Sequence, residues 1–251
     1  MFAYVESLAG VRVAFTDRHG GVSAGSWKSL NLGTSNGDDP ARVATNLGRV
    51  AARLDVAPAA VIRMSQVHGD QVHVVTAQLD QAGGGEVPVG DALVTASPEV
   101  TLLVRAADCV PLVLADAAAG LVGVAHAGRR GLMQGIVSRT VAALRELGAE
   151  QLTGWIGPRV CGRCYEVPDQ MRDDVSALVP QARAVTSWGT PALDIGAGVR
   201  AQLEQLDVDV IDVATRLGPG VACTVENTDL FSYRRQGRSS GRLGGLVRLI
   251  P

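Results

Sequence analysis

Residues 106–131 read AADCVPLVLADAAAGLVGVAHAGRRG, two apolar runs on either side of a small-residue turn around Ala117 and Ala118. Short β-rich runs bounded by turn residues form the pattern of a buried β-hairpin. A membrane span is the competing reading of 109–128. Against it, Asp116 near the middle would cost about 3 kcal/mol, and Pro111, Gly120 and Gly123 break a helix. Centring the turn between Ala117 and Ala118 predicts that Cys109 and His126 face each other across the ladder, with Cβ atoms about 4.5–5.5 Å apart. At that separation a thiolate and an imidazole can share one zinc, whose bonds are about 2.3 Å to sulfur and 2.0–2.1 Å to nitrogen. The bland alternative is a buried cysteine beside a satisfied core histidine. A one-residue slip in register would undo the pairing.

A third donor lies in SQVHGDQVHVV (65–75), where Ser65 to Asp70 interrupts two strand-like runs and places His68 in a tight polar turn. His73 falls within the next strand, so His68 is the better ligand. Two imidazoles and one thiolate leave zinc an open fourth position, the mark of a catalytic rather than a structural site. That position would supply an activated water for attack on a carbon centre. After His126 the chain passes through glycines into a helix (AGRRGLMQGIVSRTVAAL, 127–144), so amides and Arg130 converge beside the metal and suit phosphate. Solvated arginines at a helix start are the alternative. Asp108, next to Cys109, is a candidate acid or base, or an orienting group.

Composition bounds the rest. The 251 residues carry 23 Lys+Arg against 25 Asp+Glu, a net charge of −2, so no general field recruits nucleic acid or an anionic membrane. With 47% hydrophobic and 19% charged residues the chain is an ordered globular protein rather than a disordered one. Four histidines (His19, His68, His73, His126) allow at most one imidazole-rich centre. Four cysteines in this length read as reduced thiols, not as a disulfide framework. The start, MFAYVESLAG, has neither a basic region nor a long apolar one, so a secretory signal is not expected and the cytoplasm is. No repeat or long linker appears, and one domain over 1–251 is expected, with AGGGEVPVGD (82–91) reading as a mobile loop.

Segment 39–54 is the clearest helix, with Asp39 as cap, Pro40 at the first helical position and Val43, Leu47, Val50 and Leu54 as one apolar stripe. Further helices are expected over about 130–147, 168–179 and 196–206, each beside short β-rich runs at 101–106, 110–115, 121–126 or 208–213. The class is mixed α and β. Cys161 and Cys164 form CxxC in IGPRVCGRCYEV (156–167). Half a zinc site, a redox dithiol and a packing or pocket-lining role are all open, with the last favoured. A four-thiolate site needs a second pair, and only Cys223 remains outside the hairpin. The run YRRQGRSSGR (233–242) carries Arg234, Arg235, Arg238 and Arg242. Phosphate and nucleic acid are the functional readings, but with no interleaved aromatics beyond Phe231 and Tyr233 nucleic acid is disfavoured and a solvated loop is the main reading.

Six ordered motifs spanning nearly the whole chain together resemble the YfiH/YlmD family, historically called multicopper polyphenol oxidase or laccase-domain proteins, which includes the human protein FAMIN. They are TDRHGGVSAGSWKSLNLG (16–33) with GDDP (37–40), SQVHGDQV (65–72), ADCVPLVLAD (107–116), AHAGRRGLMQGIV (125–137), IGPRVCGRCYEV and LFSYRRQGRSSGR (230–242). By that resemblance His68, Cys109 and His126 fall on the family's metal ligands, in agreement with the hairpin argument. The resemblance further implies a sandwich of mixed β-sheets flanked by helices, similar to cysteine deamidase toxins.

It also implies a purine nucleoside enzyme, with phosphorolysis of adenosine, inosine or methylthioadenosine and deamination of adenosine in one pocket. Arg18, Asn31, Gln66, Gly128 and Arg130 are the candidate substrate and phosphate contacts, and the expected state is a monomer or weak homodimer. Two departures stand out. The family usually reads AHAGWRG where this chain has Arg129, and Asn-Arg where it has Asn46-Leu47, so base stacking and phosphate binding are the properties most exposed to change.

Other functions remain to be separated. Three donors hold one metal only, so a trinuclear copper centre is excluded. A single copper suits two imidazoles and a thiolate, and any polyphenol oxidase activity would be adventitious. A Cys109–His126 dyad would make a cysteine hydrolase acting on a wall precursor, in keeping with relatives described as peptidoglycan editing factors. A non-enzymatic metal-binding partner of the wall or division machinery would keep a closed fourth ligand.

Overall fold

The computed structural model describes residues 1–8, 10–76, 87–218 and 220–250. At its centre lies the hairpin of β7 (Val110–Asp116) and β8 (Leu121–Ala127), buried along its whole length. Its register differs from the sequence expectation by two residues: Pro111, not Cys109, stands opposite His126. The cause is the turn. Asp116 Oδ1 accepts from the Ala119 amide at 2.9 Å, and Gly120 takes the left-handed conformation at φ 66°. The reversal therefore spans Ala117 to Gly120 instead of closing at Ala117 and Ala118. A slip of two preserves the strand period, so Cys109 and His126 keep one face of the sheet and become diagonal neighbours.

The hairpin belongs to a six-stranded mixed sheet in the order β12 (Asp209–Asp212), β9 (Thr153–Ile156), β7, β8, β5 (Ala92–Thr95) and β4 (Val72–Val74). Its two edge pairs are parallel and the inner ones antiparallel. A five-stranded mixed sheet runs β1 (Phe2–Leu8), β2 (Val11–Thr16), β13 (Leu243–Leu249), β6 (Thr101–Ala106) and β3 (Val61–Ile62). Val113, Ala115, Val122 and Val124 of the first sheet meet Val13, Phe15, Val104 and Val247 of the second in one core. Alternate residues of the hairpin, Val110, Leu112, Leu114 and Ala125, face the other way, toward α3 (Ile136–Glu146), α4 (Asp169–Leu178) and α5 (Ile195–Gln205).

The outer face of the five-stranded sheet packs on α1 (Pro40–Arg53) through Ala14, Leu103, Leu246 and Val50. The result is a sandwich of mixed sheets flanked by helices, as the resemblance implied. Asp39 caps α1 by accepting from the Ala41 amide. The α1 stripe departs from expectation at one point: Leu47 is half-buried while its neighbour Asn46 is fully buried. Asn46 accepts from the Val22 amide and donates to Ser23 Oγ and the Asn31 carbonyl, so it stitches the 17–36 loop to the helix.

The helix expected over 130–147 is split into α2 (Arg129–Gln134) and α3 by Gly135, whose φ is 89°. Short helices α6 (Val213–Leu217) and α7 (Tyr233–Gln236) and the small hairpin of β10 (Arg183–Val185) and β11 (Pro191–Leu193) complete the chain. Among the described residues no helix is long and apolar enough to cross a membrane. Of the loop expected over 82–91, residues 82–86 lie outside the described residues.

Candidate active site

The end of the sandwich where β6 and β8 finish and β7 and β13 begin opens into a cleft of about 1140 Å³. Its floor holds His68, Cys109 and His126, whose ligating atoms all lie within 4.8 Å of one another. His68 Nε2 stands 3.8 Å from Cys109 Sγ, and the two imidazoles meet edge to face with centroids 4.7 Å apart. These are the three residues the sequence singled out, and the structure brings them together despite the altered register.

What organises them is Asp91, fully buried and absent from the sequence reading. Its carboxylate accepts from the amides of Val67, His68 and Gly69 at 3.1, 3.0 and 2.7 Å and from His126 Nδ1 at 2.8 Å. One side chain thus folds the 67–69 turn, where His68 sits at φ 61°, and leaves His126 Nε2 directed at Cys109 and the cleft. Burial opposes ionisation of Asp91, but His126 and the amides of Gly69 and Val67 outweigh it and hold the carboxyl below its ordinary range. Cys109 and His126 titrate as a coupled pair. Burial favours the neutral forms, yet each holds the other charged, so the thiol is lowered and the imidazole raised. The place of Asp91 follows from a pairing between segments distant in sequence: β5 pairs with β8 so that Ala92 faces Ala125, and one step further sets Asp91 beside His126.

Gly128 completes the floor by having no side chain. A Cβ there would stand 2.9 Å from His68 Cδ2 and 3.1 Å from Cys109 Sγ, so any other residue must displace the His68 ring and crowd the Cys109 sulfur. Asp108 also lines the cleft, with φ at 90°. Both its oxygens are engaged, Oδ1 by the Thr224 hydroxyl and Oδ2 by the Arg234 amide, each at 2.6 Å. Two of the four non-glycine residues with positive φ among the described residues are therefore in this site, where strained backbone concentrates.

The walls are cationic and aromatic. Arg63, Arg105, Arg129, Arg130, Arg234 and Arg242 line the cleft with Tyr165 and Tyr233. Arg105 donates to Thr34 Oγ1 and the Met64 carbonyl at 2.7 Å each, while its buried Nε has no partner. Burial, with repulsion from Arg63 and Arg242, pulls this guanidinium down to about 10. Neither Arg105 nor Arg242 forms an ion pair among the described residues, so an anion is the complement this wall lacks. The sequence reading missed Arg105, Tyr165 and Asp91. The 233–242 run is not a solvated loop throughout: Arg234 and Arg242 face the cleft. Arg235 turns inward to the carbonyls of Thr224, Val225, Asn227 and Leu230.

The other sequence candidates divide. Arg130, Gly128 and Gln66 line the cleft, the last also pairing its amide with both backbone groups of Arg105. Arg18 lies outside it, donating to the Lys28 and Thr228 carbonyls and stacking 4.6 Å above Phe231. Asn31 is buried in the loop beneath, bonded to Gly33, Asn36, Asp38 and the Arg242 amide. Arg129 is on the cleft wall and Leu47 packs on α1's side of the core.

This donor set on a four-layer frame defines a class, and the chain belongs to the family described as multi-copper polyphenol oxidoreductase laccase, matched over residues 12–250. It is similar to a purine nucleoside phosphorylase of Streptomyces coelicolor, 49% identical over 99% of this chain and 100% of that protein. It also resembles a purine nucleoside phosphorylase of Mycobacterium tuberculosis, 44% identical over 94% and 91% of the two chains. Among solved structures, YlmD from Geobacillus stearothermophilus superposes with a TM-score of 0.83 at 32% identity, covering 97% of this chain and 93% of that one. Neisseria meningitidis protein NMB0706 gives 0.83 at 31% identity, covering 100% and 99%. The relatives' names support an enzyme of the purine nucleoside phosphorylase kind, and the family name supports a copper or other metal centre.

Proposed function

We propose that this chain is a zinc-dependent purine nucleoside enzyme. It cleaves adenosine, inosine or methylthioadenosine with phosphate and deaminates adenosine. One observation carries the reading: a three-donor cluster with an open side forms the floor of a cleft whose wall holds Arg105 and Arg242, neither of them in an ion pair among the described residues. The volume exceeds the roughly 300–1,000 Å³ of common small-molecule sites, leaving room for a nucleoside and phosphate together. His68, Cys109 and His126 would hold the metal, a donor set that suits zinc and also a single copper. When bound, the metal supplies Lewis-acid polarisation at its open position.

The residues of the chain do the rest. Arg105, Arg242 and Arg130 hold phosphate by charge-assisted hydrogen bonds. A phosphate oxygen attacks C1′, the C1′–N9 bond breaks, and its electron pair leaves with the purine, giving ribose 1-phosphate. Tyr233, an exposed aromatic on the wall, offers its ring to the base, whereas the Arg234 guanidinium already lies 4.7 Å over Tyr165. Asp108, its oxygens fixed by Thr224 and Arg234, orients this wall and Cys109 behind it.

A second reading rests on a specific contact. Asp91, His126 and Cys109 form a carboxylate–imidazole–thiol relay of the kind used by cysteine hydrolases. Chelation separates the two. The nucleoside enzyme loses turnover on stripping and regains it with zinc. A cysteine hydrolase keeps amidase activity without metal and loses it to thiol alkylation.

A further inference from the structure

The four cysteines fall in two places, and the second has no part in the cleft. Cys161 and Cys164, from the turn after β9, meet Cys223, from the segment after α6, and Glu226 joins them. The ligating atoms of these four residues all lie within 4.8 Å of one another. Cys164 and Cys223 are buried, Cys161 is half-buried, and the Glu226 side chain is 33% exposed. The sequence reading set a four-thiolate site aside for want of a second cysteine pair. A carboxylate supplies the missing fourth donor.

We infer that Cys161, Cys164, Cys223 and Glu226 form a second metal site, closed and structural, that takes zinc. Four donors in a tetrahedral arrangement with no open position are the structural pattern, and thiolates select zinc over hard cations. Tetrahedral bonds of about 2.3 Å set sulfurs roughly 3.8 Å apart, so the widest separation here need close by only about 1 Å. The backbone is already arranged as in a metal knuckle. The Cys164 and Tyr165 amides both donate to the Cys161 carbonyl at 3.0 Å, closing the CxxC turn. The fourth donor is already in contact with the thiols: the Cys164 thiol lies 3.5 Å from Glu226 Oε1.

Charge agrees with this assignment. Three thiolates and a carboxylate around a divalent ion leave a net charge of −2, and the Arg163 guanidinium lies 3.0 Å from Glu226 and beside Cys161. Binding replaces the thiol protons, which pass to solvent. The site would clamp two segments together: Arg159 pairs with Cys223, and Thr224, next to Cys223, donates to Asp108 of the cleft.

The test uses the full chain, purified reduced and without chelator, loaded with zinc and freed of excess ion. Wild type is expected to retain about two zinc ions per chain, and Cys161→Ser with Cys164→Ser about one. Cys109→Ala with His126→Ala should also retain about one, at the other site. Cobalt loaded into that second variant should show the strong sulfur-to-metal charge transfer of three thiolates. Should the serine variant not fold, Glu226→Gln keeps every thiol and should release one zinc to a chelator at least tenfold faster. Zinc should also protect Cys161, the half-buried thiol of the cluster, from iodoacetamide, read by mass spectrometry. Equal labelling of Cys161 with and without zinc, unchanged zinc content in the serine variant, or a disulfide among the three cysteines in the reduced, zinc-loaded protein would overturn the inference.

Discussion

The molecule carries two cysteine-bearing clusters built on opposite plans. At His68, Cys109 and His126 there are three donors, mostly imidazole, on the floor of a large cleft, with Asp91 buried behind them. At Cys161, Cys164, Cys223 and Glu226 there are four donors, mostly thiol, none of which lines that cleft. Donor number and access, more than residue type, separate a site that can bind substrate from one that can only hold the chain together. The two are joined through Thr224 and Asp108, so the closed cluster braces the wall of the open one.

The comparison breaks most visibly at Gly128. Gly128→Ala places a methyl against His68 and Cys109, so turnover should fall by roughly 10²-fold or more, since misplacement of about 1 Å is enough for that. Metal should leave the open cluster and stay in the closed one, as metal analysis with cobalt spectra would show. Next in size is Arg105→Met, expected to raise KM for phosphate by about 10–100-fold, the worth of a lost charge-assisted bond. Phosphate-independent deamination should be unchanged; an equal loss in both activities would take Arg105 out of the phosphate site.

Asp91→Asn should weaken metal binding at the open cluster by about tenfold, measured by chelator competition. It should also alter the pH profile of stability. The folded carboxyl titrates below its unfolded value near 3.9, so its contribution is complete at neutral pH and disappears as the pH falls through that depressed value. The variant should therefore show a flatter acid limb in denaturant unfolding. The smallest effect is expected for Arg129→Trp. Restoring an aromatic to the wall should lower KM for the nucleoside about threefold, in line with about 0.5–1.5 kcal/mol for an aromatic pair.

The strand and helix pattern was legible because apolar periodicity writes it directly: β6, β7, β8, α1, α4 and α5 fall close to where the sequence placed them. The register of β7 on β8 was not, because Asp116 and Gly120 together decide the turn and each alone is ambiguous. That His68, Cys109 and His126 converge survived the error only because the shift was even. Asp91 and Arg105 were invisible for a different reason. Their roles depend on strands distant in sequence, β5 beside β8 and β6 beside the 64–66 segment, and no local pattern marks them. Glu226 carries no local mark either, since only the fold brings its carboxylate to Cys161 and to Cys164, 62 positions away.

The central claim is tested most directly by incubating metal-defined protein with adenosine, with and without phosphate, and identifying the products. Zinc-loaded protein should yield inosine without phosphate, and free purine base with ribose 1-phosphate once phosphate is added. Stripped protein should yield no inosine until zinc is returned. Folded, zinc-replete protein that turns over no purine nucleoside at any phosphate concentration would contradict the account.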